Sequence, residues 1–438
     1  MFLSLKSAPG WLDILICHQC KAKLLSPSEY ELLCSKCGLT FPLRNNIPVM
    51  IPVPKDSPQR QLFGKETSEL APWFERRDEI DTYHRGKRDA AWCARLFIRD
   101  DEFLSASSHP QGEKTFFVEI GPGPIPRLTW FEATIRVGID ALAEHYDSAF
   151  GDPPCPINFL SAHTEAIPLA NESVDALLCV NALDHVGNMS LTLSELWRIL
   201  KPNGLFFLGV LYDSSPLSCE EPHVVDREFL EKELYPNFIV EREALDSISK
   251  EEPPLGWYRV RLRKGTAPAY IHRFTPTQHA RIDEFFHHFT EGMFLDTQGR
   301  SPEARESFQK ALRYPGYYAS DRYRLAYCAW RVAETAPALA QAVERTRERH
   351  LKHVLLEAAY KIGSSHKRQG ACDKSLALFS NLLELAKPLG FKQLCGGAHF
   401  HMGEMYLRKG EKEKANNHFR KTLASIPDHQ KAKLYLKN

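Results

Sequence analysis

A short apolar run that ends in two glycines constrains this 438-residue chain more than any other stretch. Residues 116–128 read FFVEIGPGPIPRL, and the aromatic and β-branched residues predict a buried parallel strand. Gly121 and Gly123 follow it, and without a Cβ atom they let the backbone turn sharply and a ligand come close. In a doubly wound α/β fold, ligands bind outside the carboxyl end of such a strand. The run therefore predicts a site for a nucleotide-type ligand at this turn.

A second predicted strand supplies an acid at the expected distance. Residues 136–140 read RVGID, and Asp140 lies 19 residues after Gly121. An acid about 20 residues after such a turn accepts hydrogen bonds from ribose hydroxyls. We therefore predict that Asp140 binds a ribose through a charge-assisted bond, the alternative being a helix N-cap.

Two further segments carry a resemblance to a known family. Residues 163–186 read HTEAIPLANESVDALLCVNALDHV, and residues 193–212 read LSELWRILKPNGLFFLGVLY. With the glycine turn and Asp140, they resemble the class I S-adenosylmethionine-dependent methyltransferases (type 11-like) over residues 116–264. The resemblance implies an α/β, doubly wound, seven-stranded Rossmann-like domain over residues 115–265, with S-adenosyl-L-methionine as cofactor. The cofactor-binding residues that it implies are Glu119, Gly121, Gly123, Asp140, Glu165 and Asn181.

Two positions depart from the family pattern. Ile125 stands in the place of a third motif glycine. His163 replaces the acid that often bonds the adenine amine, so adenine recognition is expected to rest on Glu165 or on backbone groups. These departures leave open a second class of function, a methyltransferase fold that has lost turnover and acts as a scaffold or adaptor.

Two histidines are the candidates for chemistry on the acceptor. His185 follows the predicted fourth strand, where the fold faces the transferred methyl group, and an imidazole is suited to taking a proton from a hydroxyl or amine. His223 follows the fifth strand, where the family has a substrate-side loop. Packing or lining of the cofactor pocket is the alternative for both. The resemblance implies a methyltransferase for a small-molecule, glycan or protein acceptor, with RNA ranked lower.

The first 53 residues contain a metal-binding pattern. Cys17, Cys20, Cys34 and Cys37 form CxxC…CxxC with thirteen residues between the pairs. Two such turns place four thiolates around one ion, so we predict a structural zinc ribbon over residues 1–53. The surrounding sequence resembles the zinc-ribbon family of methyltransferase activator subunits, and this resemblance implies a stabiliser in cis. His18 and the Asn45-Asn46 pair depart from that family, and a nucleic-acid-binding ribbon is the alternative.

Residues 54–114 are predicted to form a helical connector or lid. Residues 78–97 have a helical pattern, and Tyr83 and Trp92 on it could cover the cofactor, although ordinary core packing is the alternative.

The last part of the chain, residues 281–438, has a repeating pattern of small and aromatic residues. Gly292, Gly363 and Gly403 each precede a phenylalanine by sixteen residues. The pattern resembles tetratricopeptide repeats, with starts near 285, 319, 356 and 396 and a degenerate second unit. Stacked helix pairs form a groove, so we expect it to bind a peptide or a protein partner.

The overall charge balance does not indicate binding to nucleic acid or to a membrane. The chain has 56 Lys and Arg, 55 Asp and Glu and a formal net charge of +1. The repeats are basic and the rest is acidic, which indicates a solvated helical surface or docking on an acidic neighbour or partner. No signal peptide and no membrane span are expected. Most of the 11 cysteines are scattered singly, so a cytoplasmic location with reduced thiols is expected.

Overall fold

The computed structural model describes the chain in two compact units, Met1–Glu291 and Gly292–Asn438. The described residues are 11–51, 115–130, 133–150, 157–212, 223, 225, 229–247, 256–265, 274–297, 300–317, 321–333, 335–346, 349–368 and 370–437. The predicted connector, residues 54–114 with Tyr83 and Trp92, lies outside them.

The N-terminal ribbon is a four-stranded antiparallel sheet in the order β1-β2-β3-β4. Its strands are β1 (Leu24–Leu25), β2 (Glu31–Cys34), β3 (Thr40–Arg44) and β4 (Ile47–Pro48). Each CxxC pair is followed by a residue with positive φ, Lys21 at 57° and Gly38 at 72°. The N–H groups of these two residues donate to the carbonyls of Cys17 and Cys34, at 2.9 Å and 3.2 Å. Both thiol pairs therefore lie on tight turns, as the spacing predicted.

The second sheet has seven strands in the order β10-β11-β9-β8-β5-β6-β7. They are β5 (Phe116–Ile120), β6 (Ile135–Ile139), β7 (Asn158–Leu160), β8 (Val174–Val180), β9 (Leu200–Tyr212), β10 (Phe238–Ser247) and β11 (Gly256–Lys264). Strand β11 pairs antiparallel with both β9 and β10, and the other pairs of the sheet are parallel. Helices α1 (Ala143–Phe150) and α2 (Met189–Ile199) belong to the same unit. This confirms the predicted seven-stranded α/β sheet.

The sequence explains why β5 lies in the middle of this sheet. All five of its residues are buried, as a central parallel strand requires. Phe117 packs on one face with Leu178 and Phe207, and Val118 and Ile120 pack on the other. Because β5, β6 and β8 are parallel, the residues that follow them meet at one carboxyl edge.

The second unit is helical. Helix α3 (Pro276–Thr297) has its first sixteen residues in the first unit and its last six in the second. The helices after it are α4 (Ser301–Ala311), α5 (Asp321–Ala333), α6 (Ala336–Arg345), α7 (Arg349–Arg368), α8 (Cys372–Ala386), α9 (Lys392–Arg408), α10 (Lys412–Ser425) and α11 (Gln430–Lys437). Across the part of the chain described here, no helix combines the length and hydropathy needed to cross a membrane.

The predicted spacing of glycine and phenylalanine corresponds to repeated helix contacts. A Cβ added to Gly292 or Gly403 would lie 2.6 Å from the ring of the phenylalanine sixteen residues later, and one added to Gly363 would lie 3.0 Å from its own. The three phenylalanines (Phe308, Phe379 and Phe419) are fully buried. The spacing therefore marks close helix pairs, while the assignment to tetratricopeptide repeats stays a prediction.

Candidate functional site

The glycine turn after β5 meets the loop after β8 at the carboxyl edge. Gly121 and Gly123 have φ values of +60° and +59°, a conformation that residues with a Cβ rarely adopt. A Cβ on Gly121 would lie 2.4 Å from the Cβ of Ala182. Asn181, just before Ala182, has a φ of +53°, and its N–H donates to the carbonyl of Gly209 at 2.8 Å. Three of the predicted cofactor-binding residues therefore lie at this edge, and the contact with Ala182 leaves no room for a side chain at Gly121.

Asp140 joins the same edge, directly after β6. Its Oδ2 accepts a hydrogen bond from the Gly123 N–H at 3.1 Å, and its Oδ1 accepts one from the Leu142 N–H at 2.9 Å. Burial raises the pKa of Asp140, and these donors oppose that rise. A carboxylate has about four lone-pair positions, so this side chain can hold the glycine turn and still accept ribose hydroxyls. The residues present therefore fit the predicted cofactor at this edge.

Glu119 is held by contacts within the loop that follows the glycine turn, while its role in cofactor binding stays a prediction. It has no exposed surface, and its oxygens accept hydrogen bonds from the Arg127 guanidinium at 3.3 Å and the Leu128 N–H at 3.0 Å. Burial raises its pKa to about 7, although both partners favour the charged form. Glu119 thus holds the loop after the glycine turn, and any influence on a cofactor passes through that loop.

Glu165 lies in the turn Thr164–Ala166, beside the start of α2. Its Oε1 accepts hydrogen bonds from the N–H groups of Gly187 at 2.7 Å and Asn188 at 3.0 Å. A negative charge is favourable at this end of a helix. Burial lowers the pKa of the neighbouring His163, which keeps its imidazole neutral. A neutral imidazole nitrogen can accept a hydrogen bond, as the replaced acid of the family does.

His185 lies beside the side chain of Asp184. It belongs to the 3-10 turn Leu183–His185, and 39% of its side chain is exposed. Its Nε2 lies 4.0 Å from Oδ1 of Asp184, which is 2% exposed and whose pKa is raised by burial. The His185 charge also acts on Asp140.

His223 contacts the same turn through its main chain. It is buried, and its N–H donates to the carbonyl of Asp184 at 3.3 Å. Its ring centroid lies 4.5 Å from that of Phe286 in α3. The structure therefore brings both candidate histidines to the residue Asp184, which the sequence did not single out.

Helix α3 contributes a contact that no sequence pattern indicated. The Asn188 side-chain amide donates to Asp283 of α3 at 2.7 Å, while its Oδ1 accepts the Leu191 N–H at 3.2 Å as the cap of α2. Burial raises the pKa of Asp283, and the nearby charge of Glu165 raises it further. The two partners are 95 residues apart in the chain, so no local signal could have paired them.

The four predicted metal ligands do converge. Cys17, Cys20, Cys34 and Cys37 have all their Sγ atoms within 4.8 Å of one another, with pairs at 3.6 Å and 3.3 Å. Sulfurs on a tetrahedral zinc ion are roughly 3.8 Å apart, which follows from a Zn–S length of about 2.3 Å. Burial raises the pKa of Cys34, but the N–H groups of Cys37 and Lys36 and the Cys20 thiol outweigh it and lower the pKa to about 6. The cluster therefore fits a closed, structural zinc site.

The ribbon is joined to the seven-stranded sheet through main-chain hydrogen bonds. Val49, just after β4, pairs in parallel with Ser161, just after β7. The Met50 N–H donates to the Ser161 carbonyl at 2.7 Å, and the Ser161 N–H donates to the Pro48 carbonyl at 3.0 Å. Near the metal cluster, Lys21 Nζ lies 3.2 Å from Glu195 of α2. The ribbon thus covers the β7 edge of the sheet.

Two family models match the chain in the regions just described. The model of a methyltransferase domain matches residues 118–208, and the model of the Trm112p-like protein matches residues 10–46. The UPF0434 protein Nmul_A1027 of Nitrosospira multiformis is 48% identical over 61 residues, which are 14% of this chain and 95% of that protein. A UPF0434 protein of Dechloromonas aromatica is 49% identical over 41 residues, or 9% of this chain and 71% of that one.

Two solved structures of methyltransferase systems are similar to part of this chain. The complex that contains the Haloferax volcanii Trm112 methyltransferase activator is 16% identical, with a TM-score of 0.33, over 46% of this chain and 99% of that one. An S-adenosylmethionine-dependent methyltransferase from Mesorhizobium loti is 14% identical, with a TM-score of 0.31, over 37% of this chain and 97% of that one. The methyltransferase domain and the ribbon were both predicted from the sequence, and the family models confirm them.

Proposed function

The N-terminal ribbon of this chain belongs to the family of Trm112p-like and UPF0434 proteins, and because a methyltransferase domain follows it, we propose that the protein is an S-adenosylmethionine-dependent methyltransferase with an activator-like module in cis. The acceptor that we propose is a small molecule, a glycan or a protein.

One observation carries the proposal. Asp140 accepts a hydrogen bond from Gly123, so the predicted ribose acid and the glycine turn form one unit at the carboxyl edge of a seven-stranded sheet. A nucleotide-like cofactor needs both features side by side, since close backbone approach and an anionic acceptor act on adjacent groups.

Different residues at this edge bind different parts of the proposed cofactor. S-adenosyl-L-methionine, when bound, supplies a methyl group on a positively charged sulfur. Gly121 and Gly123 leave room for its methionine part, and Asp140 accepts hydrogen bonds from its ribose hydroxyls. His163 and the turn of Glu165 lie on the adenine side. Holding donor and acceptor in register lowers the barrier of such a displacement by up to about 7–11 kcal/mol.

We propose that His185 takes the proton from the acceptor atom as that atom is methylated. Asp184 Oδ1 lies 4.0 Å from the Nε2 atom of His185, and Asp140 also interacts electrostatically with this side chain. His223 lines the acceptor side through its contact with Phe286. This arrangement suits a hydroxyl or amine acceptor, which must lose a proton on methylation.

The ribbon and the helices are proposed to serve this enzyme in different ways. The ribbon stabilises the methyltransferase sheet by covering its β7 edge. The helical unit binds a peptide or a protein partner. It contains 26 Lys and Arg against 14 Asp and Glu in residues 292–438, so an acidic partner fits it best.

Calorimetric titration with S-adenosylhomocysteine tests the cofactor. We expect one site per chain, and a loss of at least about tenfold in affinity for Asp140→Ala, because a hydrogen bond to a charged group contributes about 1.5–3 kcal/mol. Asp13→Ala, an exposed aspartate in the ribbon, is the matched control and should bind as the wild type does. No binding by folded wild type would refute the enzyme and favour the scaffold alternative.

The class of acceptor requires a second measurement. Incubation with isotopically labelled methyl donor and separated metabolite, protein and RNA fractions identifies the class by the fraction that acquires label. Label in RNA would overturn the acceptor assignment but leave the cofactor assignment standing.

A further inference from the structure

We propose that helix α3 carries a second metal site, formed by His287, His288 and Glu291, that takes a divalent transition-metal ion of the zinc type. The ligand atoms of these three side chains lie within 4.8 Å of one another, and all three residues are half-buried. They lie in the first unit, apart from the four cysteines of the ribbon in both sequence and ligand type.

The distance between two of the ligand atoms is close to that expected around a shared ion. Nδ1 of His288 lies 3.5 Å from Oε2 of Glu291, and the rings of His287 and His288 are 4.9 Å apart by their centroids. Two ligand atoms on a tetrahedral zinc ion are separated by roughly 3.3 Å, because Zn–N and Zn–O lengths are about 2.0–2.2 Å. Small side-chain adjustments thus bring all three ligands to bonding distance.

A cation would satisfy one buried nitrogen of this cluster, Nδ1 of His288. Nδ1 of His288 is buried and makes no hydrogen bond with the part of the chain that the structure describes, yet it faces a carboxylate oxygen. Two lone-pair atoms in that arrangement repel unless a proton or a metal ion lies between them. One proton serves only the pair His288–Glu291, whereas a divalent ion also uses the nitrogen of His287. Imidazole and carboxylate ligands together suit zinc, cobalt, nickel and copper.

The position on α3 suggests how an ion there would be used. Asp283 and Phe286, within the preceding turn or so, contact Asn188 and His223 of the carboxyl-edge loops. Three protein ligands leave the fourth position of a tetrahedral ion open, as in metal sites that bind an exogenous oxygen. An ion at this site would therefore be held on the helix stretch that meets those loops, with a position free for water or an oxygen-bearing ligand.

Metal stoichiometry of the full chain tests the site. After equilibration in buffered Zn²⁺, we expect two ions per wild-type chain and one per His288→Ala chain, the retained ion being that of the ribbon. His279→Ala, a histidine on the same helix outside the cluster, is the matched control and should retain two. With Co²⁺, the second equivalent should add visible absorption without the sulfur charge-transfer bands of the four-cysteine site.

Glu291→Gln provides a second variant with nearly unchanged size, and we expect its second ion to bind at least about tenfold more weakly. A thermal melt shows whether each variant is folded. If one variant is unfolded, the metal content of the other variant tests the proposal. A single ion in folded wild type would mean that a proton alone bridges His288 and Glu291. Two ions retained in both folded variants would place the second ion elsewhere, and either result would overturn the proposal.

Discussion

Glu119 is completely buried and forms an ion pair with Arg127. The guanidinium and the Leu128 N–H favour the carboxylate, but burial outweighs them and raises the pKa of Glu119 to about 7. In the unfolded chain the same group titrates near 4.5. Because the folded pKa is the higher one, this group contributes stability that is fully present below about pH 4.5. That contribution is lost as the pH rises through 7.

We therefore predict that Glu119→Gln removes a pH-dependent part of the stability. Between pH 5 and pH 8 the free energy of unfolding of the wild type should fall by about 2–3 kcal/mol more than that of the variant. Urea titrations at both pH values measure the difference. Asp13→Ala, on the exposed surface, serves as the control and should follow the wild type. Parallel pH profiles for wild type and Glu119→Gln would contradict the assignment.

For single residues, the sequence predicts metal ligands and turns better than it predicts hydrogen-bond partners. Asn45 and Asn46 stand where the activator family has Asp-Gly, and both adopt positive φ, 51° and 64°, as a tight hairpin requires. Asparagine tolerates that conformation, so the departure leaves the ribbon intact. The link from Glu119 to Arg127 was missed, because a motif position indicates the type of residue and not the direction of its side chain.

Helix α3 is the element whose role the sequence assigned least well. The repeating pattern was predicted from residue 281, but the helix begins at Pro276 and its first sixteen residues belong to the unit of the methyltransferase domain. The spacing of glycine and phenylalanine could be recognised in the sequence because it is local and repeated. The hydrogen bond between Asn188 and Asp283 could not be predicted, because a contact between residues far apart in the chain produces no periodic pattern in the sequence.

Asp283→Ala should loosen the adenine side of the proposed cofactor site. The change removes the acceptor of the Asn188 side-chain amide, and Asn188 also caps α2 and donates its N–H to Glu165. We expect an affinity for S-adenosylhomocysteine lowered about fivefold, with little change in the melting temperature. Glu284→Ala, the exposed acid next to it on α3, should bind as the wild type does. Equal affinities for both variants would confine Asp283 to a packing role.

The first unit depends on the association of the ribbon with the methyltransferase sheet. The sequence predicted these two parts as separate modules. The fold of each module follows from its own pattern, four spaced cysteines in one case and strands ending in glycine and acid in the other. Their junction includes backbone hydrogen bonds of Pro48 and Met50 with Ser161, and such bonds do not depend on the type of side chain, except that proline cannot donate. They also share apolar residues, among them Leu15, Leu160 and Leu169, in a single core.

Because of that shared core, loss of the metal ion from the ribbon should destabilise the adjoining part of the methyltransferase sheet. Cys20→Ser removes one of four thiolates, and metal binding of about 10–16 kcal/mol supplies most of the folding free energy of so small a ribbon. We expect amide hydrogen exchange of Ser161 to accelerate at least about tenfold, since its N–H donates to Pro48 of the ribbon.

The far side of the same sheet provides the internal control for that experiment. Amides of β11, which pair with β9 and β10, should keep their protection in Cys20→Ser, because these strands do not pair with the ribbon. Arg44→Ala removes only an exposed ion pair with Glu144, of at most about 1 kcal/mol, and should leave Ser161 protected. If Ser161 stays protected when the cysteine is replaced, the edge of the sheet holds without the metal. The ribbon would then be an attached module and not a support for the site.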